Sequence, residues 1–134
     1  MIYYLDSNIC IYFLNRKHSE VVDRILNSSP SDLAIPSVVA AELLFGAEKS
    51  QQSNSNRIKL NEFLSAFPII PFDHEAARHH AKIRYECQKH LPGPSDLMIG
   101  AIVRSRGGIL VTHNLREFQR IPQLRCESWV EETP

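Results

Sequence analysis

Apolar residues along the chain fall into two patterns. Ile2-Tyr3-Tyr4-Leu5, Leu33-Ala34-Ile35, Ile69-Ile70-Pro71-Phe72 and Ile109-Leu110-Val111-Thr112 are short runs without polar alternation, as expected of strands covered on both faces in a parallel sheet. Between them, apolar positions recur at helical spacing, as at Val21, Val22, Ile25 and Leu26, which predicts helices. Helix-starting Asp6-Ser7-Asn8 precedes a short helix over 9–14, and a second covers 19–26 until the turn residues 28–31. Pro36-Ser37 opens a helix through 49, because proline fits a first helical turn. The polar stretch 51–56 is a loop tip or helix start, and an amphipathic helix then runs to about 67, where Pro68 breaks it. Pro71 marks the third strand as a sheet edge, and Asp73 caps a helix to about 89. After the loop 91–94, the helix over 97–104 is apolar enough to be buried on most sides; Arg106-Gly107-Gly108 closes it, and a last short strand lies near 124–127.

Short apolar strands alternating with helices predict an α/β domain, with a short, central, mainly parallel sheet flanked by helices on both sides. At 134 residues the chain is one domain over 1–134, without repeats, linkers or low-complexity segments. Fifteen basic and fifteen acidic residues balance, so contact with nucleic acid must come from local patches. Cys10, Cys87 and Cys126 are scattered without disulfide or zinc spacing, which fits a reducing cytoplasm. Asp6 interrupts the first apolar run before a signal-peptide core forms, and no apolar stretch is long enough to span a bilayer, so a soluble cytoplasmic protein is expected.

In an open parallel sheet, chemistry collects where strands end and helices begin. Asp6 follows the first strand and Asp96 opens the most apolar helix; each alone reads equally well as a helix cap. Glu42 lies among Val38, Val39, Leu43 and Gly46, which puts it on the apolar stripe of its helix unless the helix is rotated so that it reaches solvent. Ile99, Gly100 and Val103 place Asp96 over a buried face in the same way, and Gly46 and Gly100 leave room near the acids. If Asp6, Glu42 and Asp96 converge, their repulsion calls for a divalent cation, and hard oxygen ligands suit Mg²⁺ or Mn²⁺. Thr112, Asn114 and Glu117 sit at the same sheet edge as candidate metal-facing or supporting groups, with Ser7 and Asn8 beside Asp6. Arg116 and Arg120, with Lys49, are candidates for phosphate contacts. His74, His79 and His80 lack metalloprotease spacing and read as a solvated helix face. Phosphate-loop, dinucleotide and esterase motifs are missing, and the tyrosines read as core rather than as a base-stacking platform.

Four segments in order, Leu5-Asp6-Ser7-Asn8-Ile9-Cys10-Ile11-Tyr12, Ala41-Glu42-Leu43-Leu44-Phe45-Gly46-Ala47-Glu48-Lys49-Ser50, Pro94-Ser95-Asp96-Leu97-Met98-Ile99 and Val111-Thr112-His113-Asn114-Leu115-Arg116-Glu117-Phe118, resemble the PIN-domain ribonucleases, specifically the VapC-type toxins of toxin-antitoxin modules. Trp129 near the end fits the same family pattern. The resemblance implies a PIN-like fold, with Asp6, Glu42 and Asp96 binding Mg²⁺ or Mn²⁺ for endoribonucleolytic hydrolysis of transfer or ribosomal RNA. It also implies a homodimer held in check by a cognate VapB-type antitoxin. Family members commonly carry a further acid where this chain has Asn114, so Asn114 is expected to take part directly or through water, with Glu117 in support. The competing reading is a degenerate PIN domain that binds RNA or protein without cutting; it is motivated by Asn114 and opposed by the three intact acids. A phosphotransfer domain also uses an aspartate after its first strand, but this chain lacks the paired-acid motif and the later lysine of that class.

Overall fold

The computed structural model describes residues 1–131. β1 (Tyr3–Leu5) lies at the centre of the sheet, paired in parallel with β2 (Leu33–Pro36) on one side and with β4 (Ile109–Val111) on the other. β3 (Ile69–Ile70) extends the sheet beyond β2, and β5 (Arg125–Glu127) extends it beyond β4. The order is therefore β3-β2-β1-β4-β5 with every pairing parallel. β3 is an edge, as Pro71 predicts, since proline cannot donate to a further ladder. Every residue of β2 and β4 is buried. Successive strand side chains point to opposite faces, so helices cover the sheet on both sides.

Those helices are α1 (Ser7–Leu14), α2 (Ser19–Asn27), α3 (Ser37–Glu48), α4 (Ser53–Ser65), α5 (His74–Glu86), α6 (Pro94–Arg106) and the single turn α7 (Leu115–Phe118). Asp73 caps α5 by accepting from the Ala76 N–H at 2.9 Å. Gly107, at φ 67°, ends α6 in the left-handed conformation that glycine adopts without strain. α6 starts three residues earlier than its apolar pattern indicates, with Pro94 in its first turn, so Asp96 is inside the helix rather than ahead of it. The predicted turn at 28–31 contains a short 3-10 segment, Pro30–Asp32. α5 stops at Glu86 instead of running on to 89.

Arg104 welds α5, α6 and the segment before β5 together. Its side chain is only 5% exposed and forms an ion pair with Glu86 at 3.3 Å. Its Nε donates to His79 Nδ1 at 3.0 Å, and its Nη1 donates to the Pro122 carbonyl at 2.9 Å. This corrects the expectation of a solvated histidine face at two of its three positions: His74 is exposed, but His79 accepts from the Arg104 guanidinium and His80 packs edge-on against Phe72. The spacing of the histidines is blind to both contacts because the partners lie on other elements.

The glycines also depart from expectation. A Cβ at Gly100 would run into the Ile121 side chain, so this glycine makes room for core packing and not for the acid beside it. A Cβ at Gly46 would meet nothing within 4 Å. At Gly108 the same atom would overlap the Tyr4 ring and sit 2.9 Å from the Ile2 carbonyl oxygen. Gly108→Ala should therefore lower stability by roughly 1–3 kcal/mol, whereas Gly46→Ala should leave it unchanged or raise it by about 0.5–1 kcal/mol through the helix preference for alanine. Thermal melts of the two variants beside the parent chain check this; a stable Gly108→Ala protein would contradict the packing described.

Candidate active site

β1 hands the chain to α1 and β4 hands it to α7, so the crevice outside the carboxyl ends of these neighbouring strands lies at the topological switch point of the sheet. Asp6 sits there. Its backbone N–H donates to the Val111 carbonyl at 2.9 Å, which extends the β1–β4 ladder by one residue and fixes where its side chain starts. The carboxylate accepts from the Ser7 N–H at 2.8 Å through Oδ1 and from the Thr112 hydroxyl at 2.7 Å through Oδ2. Asp6 is 6% exposed. Burial pushes its pKa up, and the Thr112 and Ser7 bonds oppose that shift. Asp6 does stand at the cap position of α1, yet it bonds only the first N–H and commits its other oxygen to β4.

Thr112 is fully buried, and its hydroxyl is satisfied in both directions, donating to Asp6 and accepting from the Asn114 N–H at 2.9 Å. The Ser7 hydroxyl donates to Glu42 Oε2 at 2.9 Å, which ties the start of α1 to the middle of α3. Glu42 itself is exposed, contrary to its expected place on the apolar stripe. The buried face of α3 is Val39, Ala40, Leu43 and Ala47, while Leu44 and Phe45 are exposed. A helix apolar on both faces gives no phase signal, and Glu42 sits at the boundary between them.

Asp96 is half-buried in the first turn of α6 and accepts no hydrogen bond among the described residues; Gly93 occupies the cap position instead. Its pKa is pushed up to about 6, first by burial and then by the charges of Asp6, Glu42 and Glu117. Three carboxylates, Asp6, Glu42 and Glu117, thus act on Asp96 across the crevice. Glu117 has compensation from Arg120 at 3.3 Å, but among the described residues no lysine, arginine or histidine pairs with Asp6, Glu42 or Asp96. In their present positions, no three acidic, histidine or cysteine side chains among the described residues stand close enough to enclose an ion. The donor set nevertheless fits a hard divalent cation: all oxygen, negatively charged, held by a rigid edge and lacking a cation of its own.

The other sequence candidates lie around the rim. Asn114 is exposed and caps α7 without a side-chain bond; Asn8 and Arg116 are exposed as well. Arg120 is engaged with Glu117, and Lys49 lies over the Phe45 ring at the far end of α3. The sequence reading leaves out three rings at this end of the sheet, Tyr12, His18 and His113, which meet in the structure. Nothing in their sequence spacing could have joined them.

An open parallel sheet with an acidic pocket at its switch point places the chain in a definite class of α/β domain, and a family model described as PIN domain matches residues 3–124. The chain is 40% identical over 130 residues to Ribonuclease VapC2 of Haemophilus influenzae, covering 96% of this chain and 98% of that one. To the tRNA(fMet)-specific endonuclease VapC of Shigella flexneri it is 42% identical over 127 residues, covering 93% and 96%. Among solved structures, DNA-bound VapBC from Salmonella typhimurium superposes with a TM-score of 0.88 at 38% identity, over 96% of this chain and 98% of that one. VapBC2 from Rickettsia felis, bound to a DNA fragment from its promoter, gives 0.86 at 35% identity, over 96% and 99%. The chain belongs to the PIN domain family and, within it, to the VapC ribonucleases.

The raised pKa of Asp96 has a stability consequence for the metal-free protein. The folded state holds this proton to about pH 6 while the unfolded chain releases it near its ordinary value of 3.8, so between those pH values the folded state binds more protons. Stability should fall as pH rises through that window, by on the order of 1 kcal/mol for a half-exposed group after allowance for solvent screening. Asp96→Asn should flatten this part of the curve. Urea melts in chelator between pH 4 and 7 check it, and an unchanged slope in the variant would remove Asp96 as the source.

Proposed function

We propose that this chain is the RNA-cleaving toxin of a toxin-antitoxin pair, a Mg²⁺- or Mn²⁺-dependent endoribonuclease acting on RNA of the translation machinery. The observation that carries the reading is the set Asp6, Glu42 and Asp96 at one sheet edge, with Asp6 held by Thr112 and Ser7, Glu42 held by Ser7, and no basic side chain among the described residues paired with any of the three. Asp6, Asp96 and Glu42 would hold a divalent ion, which would supply an acidified water and neutralise charge on the phosphoryl oxygens. The side chains hold the geometry. Thr112 and the Ser7 N–H fix both oxygens of Asp6, and the Ser7 hydroxyl fixes Glu42, so each is aimed before RNA arrives. Attack by water leaves the 2′-hydroxyl uninvolved and the new end as a 5′-phosphate. Transfer RNA is favoured as the substrate by the relatives named tRNA(fMet)-specific endonuclease in Shigella flexneri and Salmonella typhimurium. Such chemistry belongs in the cytoplasm; no helix among the described residues is long and apolar enough to cross a membrane.

A free nuclease of this kind needs restraint, and the solved VapBC complexes support a VapB-type antitoxin as the partner; a homodimeric toxin is the expectation that goes with it. A groove of about 300 Å³ lined by Ile11, Leu14, Leu43 and Leu60 ends at Glu42. It fits an antitoxin segment that lays apolar side chains along the groove and brings an arginine to the acids, where its charge replaces that of the metal.

Asp6→Asn, Glu42→Gln and Asp96→Asn should each lower RNA cleavage by at least about 100-fold, since each removes part of a metal term worth several kcal/mol. EDTA should abolish cleavage and Mn²⁺ or Mg²⁺ restore it, with products mapped by their 5′-phosphate ends. Cleavage that survives chelation in all three variants contradicts the mechanism, and RNA binding without any cleavage by the parent chain establishes the degenerate-binder alternative. Of the rim groups, Glu117 carries a charge that reaches Asp96, whereas the Asn114 side chain stands exposed. Glu117→Gln should therefore raise the Mg²⁺ requirement more than Asn114→Ala does, and metal titrations of cleavage giving the opposite order would make Asn114 the working ligand.

A further inference from the structure

Three rings from separate parts of the chain meet beside the acidic pocket. Tyr12 lies in the last turns of α1, His18 precedes the first turn of α2, and His113 follows Thr112 at the end of β4. The Tyr12 ring meets His18 edge-on with centroids 4.5 Å apart and meets His113 at 5.9 Å; the two imidazoles stack at 6.4 Å with planes 29° apart. His113 is exposed, and Tyr12 and His18 are half-buried, so the cluster offers ring surface to solvent instead of closing on itself.

The cluster is held in place at a conformational cost. Arg16 and His18 have φ of 54° and 60°, a left-handed backbone that side chains other than glycine rarely adopt. Glu20 Oε1 stands 3.3 Å from His18 Nδ1 without a hydrogen bond to it, and Lys17 Nζ lies 5.7 Å from the centre of the Tyr12 ring. One end of the cluster is tied to the acids. The hydroxyl of Thr112, one residue before His113, bonds Asp6 at 2.7 Å. Tyr12 is six residues beyond Asp6 along α1, roughly 9 Å at the helical rise, the reach of a nucleotide or two.

We propose that Tyr12, His18 and His113 form a stacking subsite for one unpaired base of the RNA next to the cleaved phosphate, with Lys17 contacting the adjoining phosphate. The inference rests on the nuclease reading and deepens it at one position, the base beside the cut, which must be unpaired because a base inside an A-form helix exposes no face for stacking. It also revises the expectation that the tyrosines are core. Only Tyr4 is buried; Tyr85 is exposed on α5, and the Tyr12 ring braces two imidazoles at the rim.

The test uses a single-stranded RNA oligonucleotide carrying one 2-aminopurine, whose fluorescence is quenched on stacking, added to the full chain bearing Asp96→Asn in Mg²⁺ so that binding is read without cutting. Binding should quench the probe. His113→Ala in that background should weaken binding by about tenfold and abolish the quench, in keeping with the loss of one base–ring stack. His113→Phe should restore both, which an effect on folding or on overall charge would not do. Lack of quenching by the starting protein, equal quenching by the alanine variant, or failure of phenylalanine to rescue overturns the subsite. A protein that quenches in this manner but whose unaltered form cuts no RNA leaves the subsite standing and removes the nuclease reading alone.

Discussion

Asp96 keeps its proton to about pH 6 because burial and the charges of Asp6, Glu42 and Glu117 press on it from a framework that does not yield. The framework is the carboxyl edge of a sheet whose strands are three or four residues long around β1, too short to carry anything but core and edge. Thr112 holds that edge together. Its backbone N–H donates to the Glu127 carbonyl, its hydroxyl donates to Asp6, and the same hydroxyl accepts from the Asn114 N–H. One buried side chain thereby sets the position of the central carboxylate and the direction in which the chain leaves β4. Asp6 is the buried and fixed member of the set, held between two strand ends, while Glu42 is exposed and Asp96 half-buried around it.

From that constraint the rest of the site follows in physical order. Carboxylates kept together without a cation have a use for one, and the two partners proposed for this chain supply it in different ways. A divalent ion brings positive charge together with a reactive water, and an antitoxin arginine brings the charge alone. On the proposed reading, activity and restraint compete for the same acids. The groove whose lining includes Glu42 gives the second partner an approach to the acids along Ile11, Leu14, Leu43 and Leu60.

Much of this was legible in the residues. The unalternating runs at Leu33-Ala34-Ile35 and Ile109-Leu110-Val111 announced buried parallel strands, and Pro71 announced the edge. The strand-end positions of Asp6 and Thr112 pointed to the switch point, where the structure joins them. Other features depended on contacts that have no local signature. Glu42 was misplaced because α3 is apolar on two faces, so its phase was not encoded in its own pattern. Gly100 was assigned to the acids when its missing side chain accommodates Ile121, and His79 was read as solvated when a buried Arg104 reaches it from α6. The ring cluster joins positions 12, 18 and 113 through a left-handed turn that the non-glycine residues Arg16 and His18 gave no reason to expect. The sequence motifs carried the charges; tertiary packing decided which side chains neighbour them.

The central claim is that the acids at the sheet edge are arranged for a divalent cation, and the proton on Asp96 reports on it most directly. Carbon-detected NMR titration of the Asp96 carboxyl, first in chelator and then in saturating Mg²⁺, measures that proton in the intact chain. The account predicts a pKa of about 6 without metal and a fall of at least about one unit when the ion supplies the missing charge. A carboxyl that titrates near its ordinary value in chelator, or one that titrates at the same raised value with and without Mg²⁺, would contradict it.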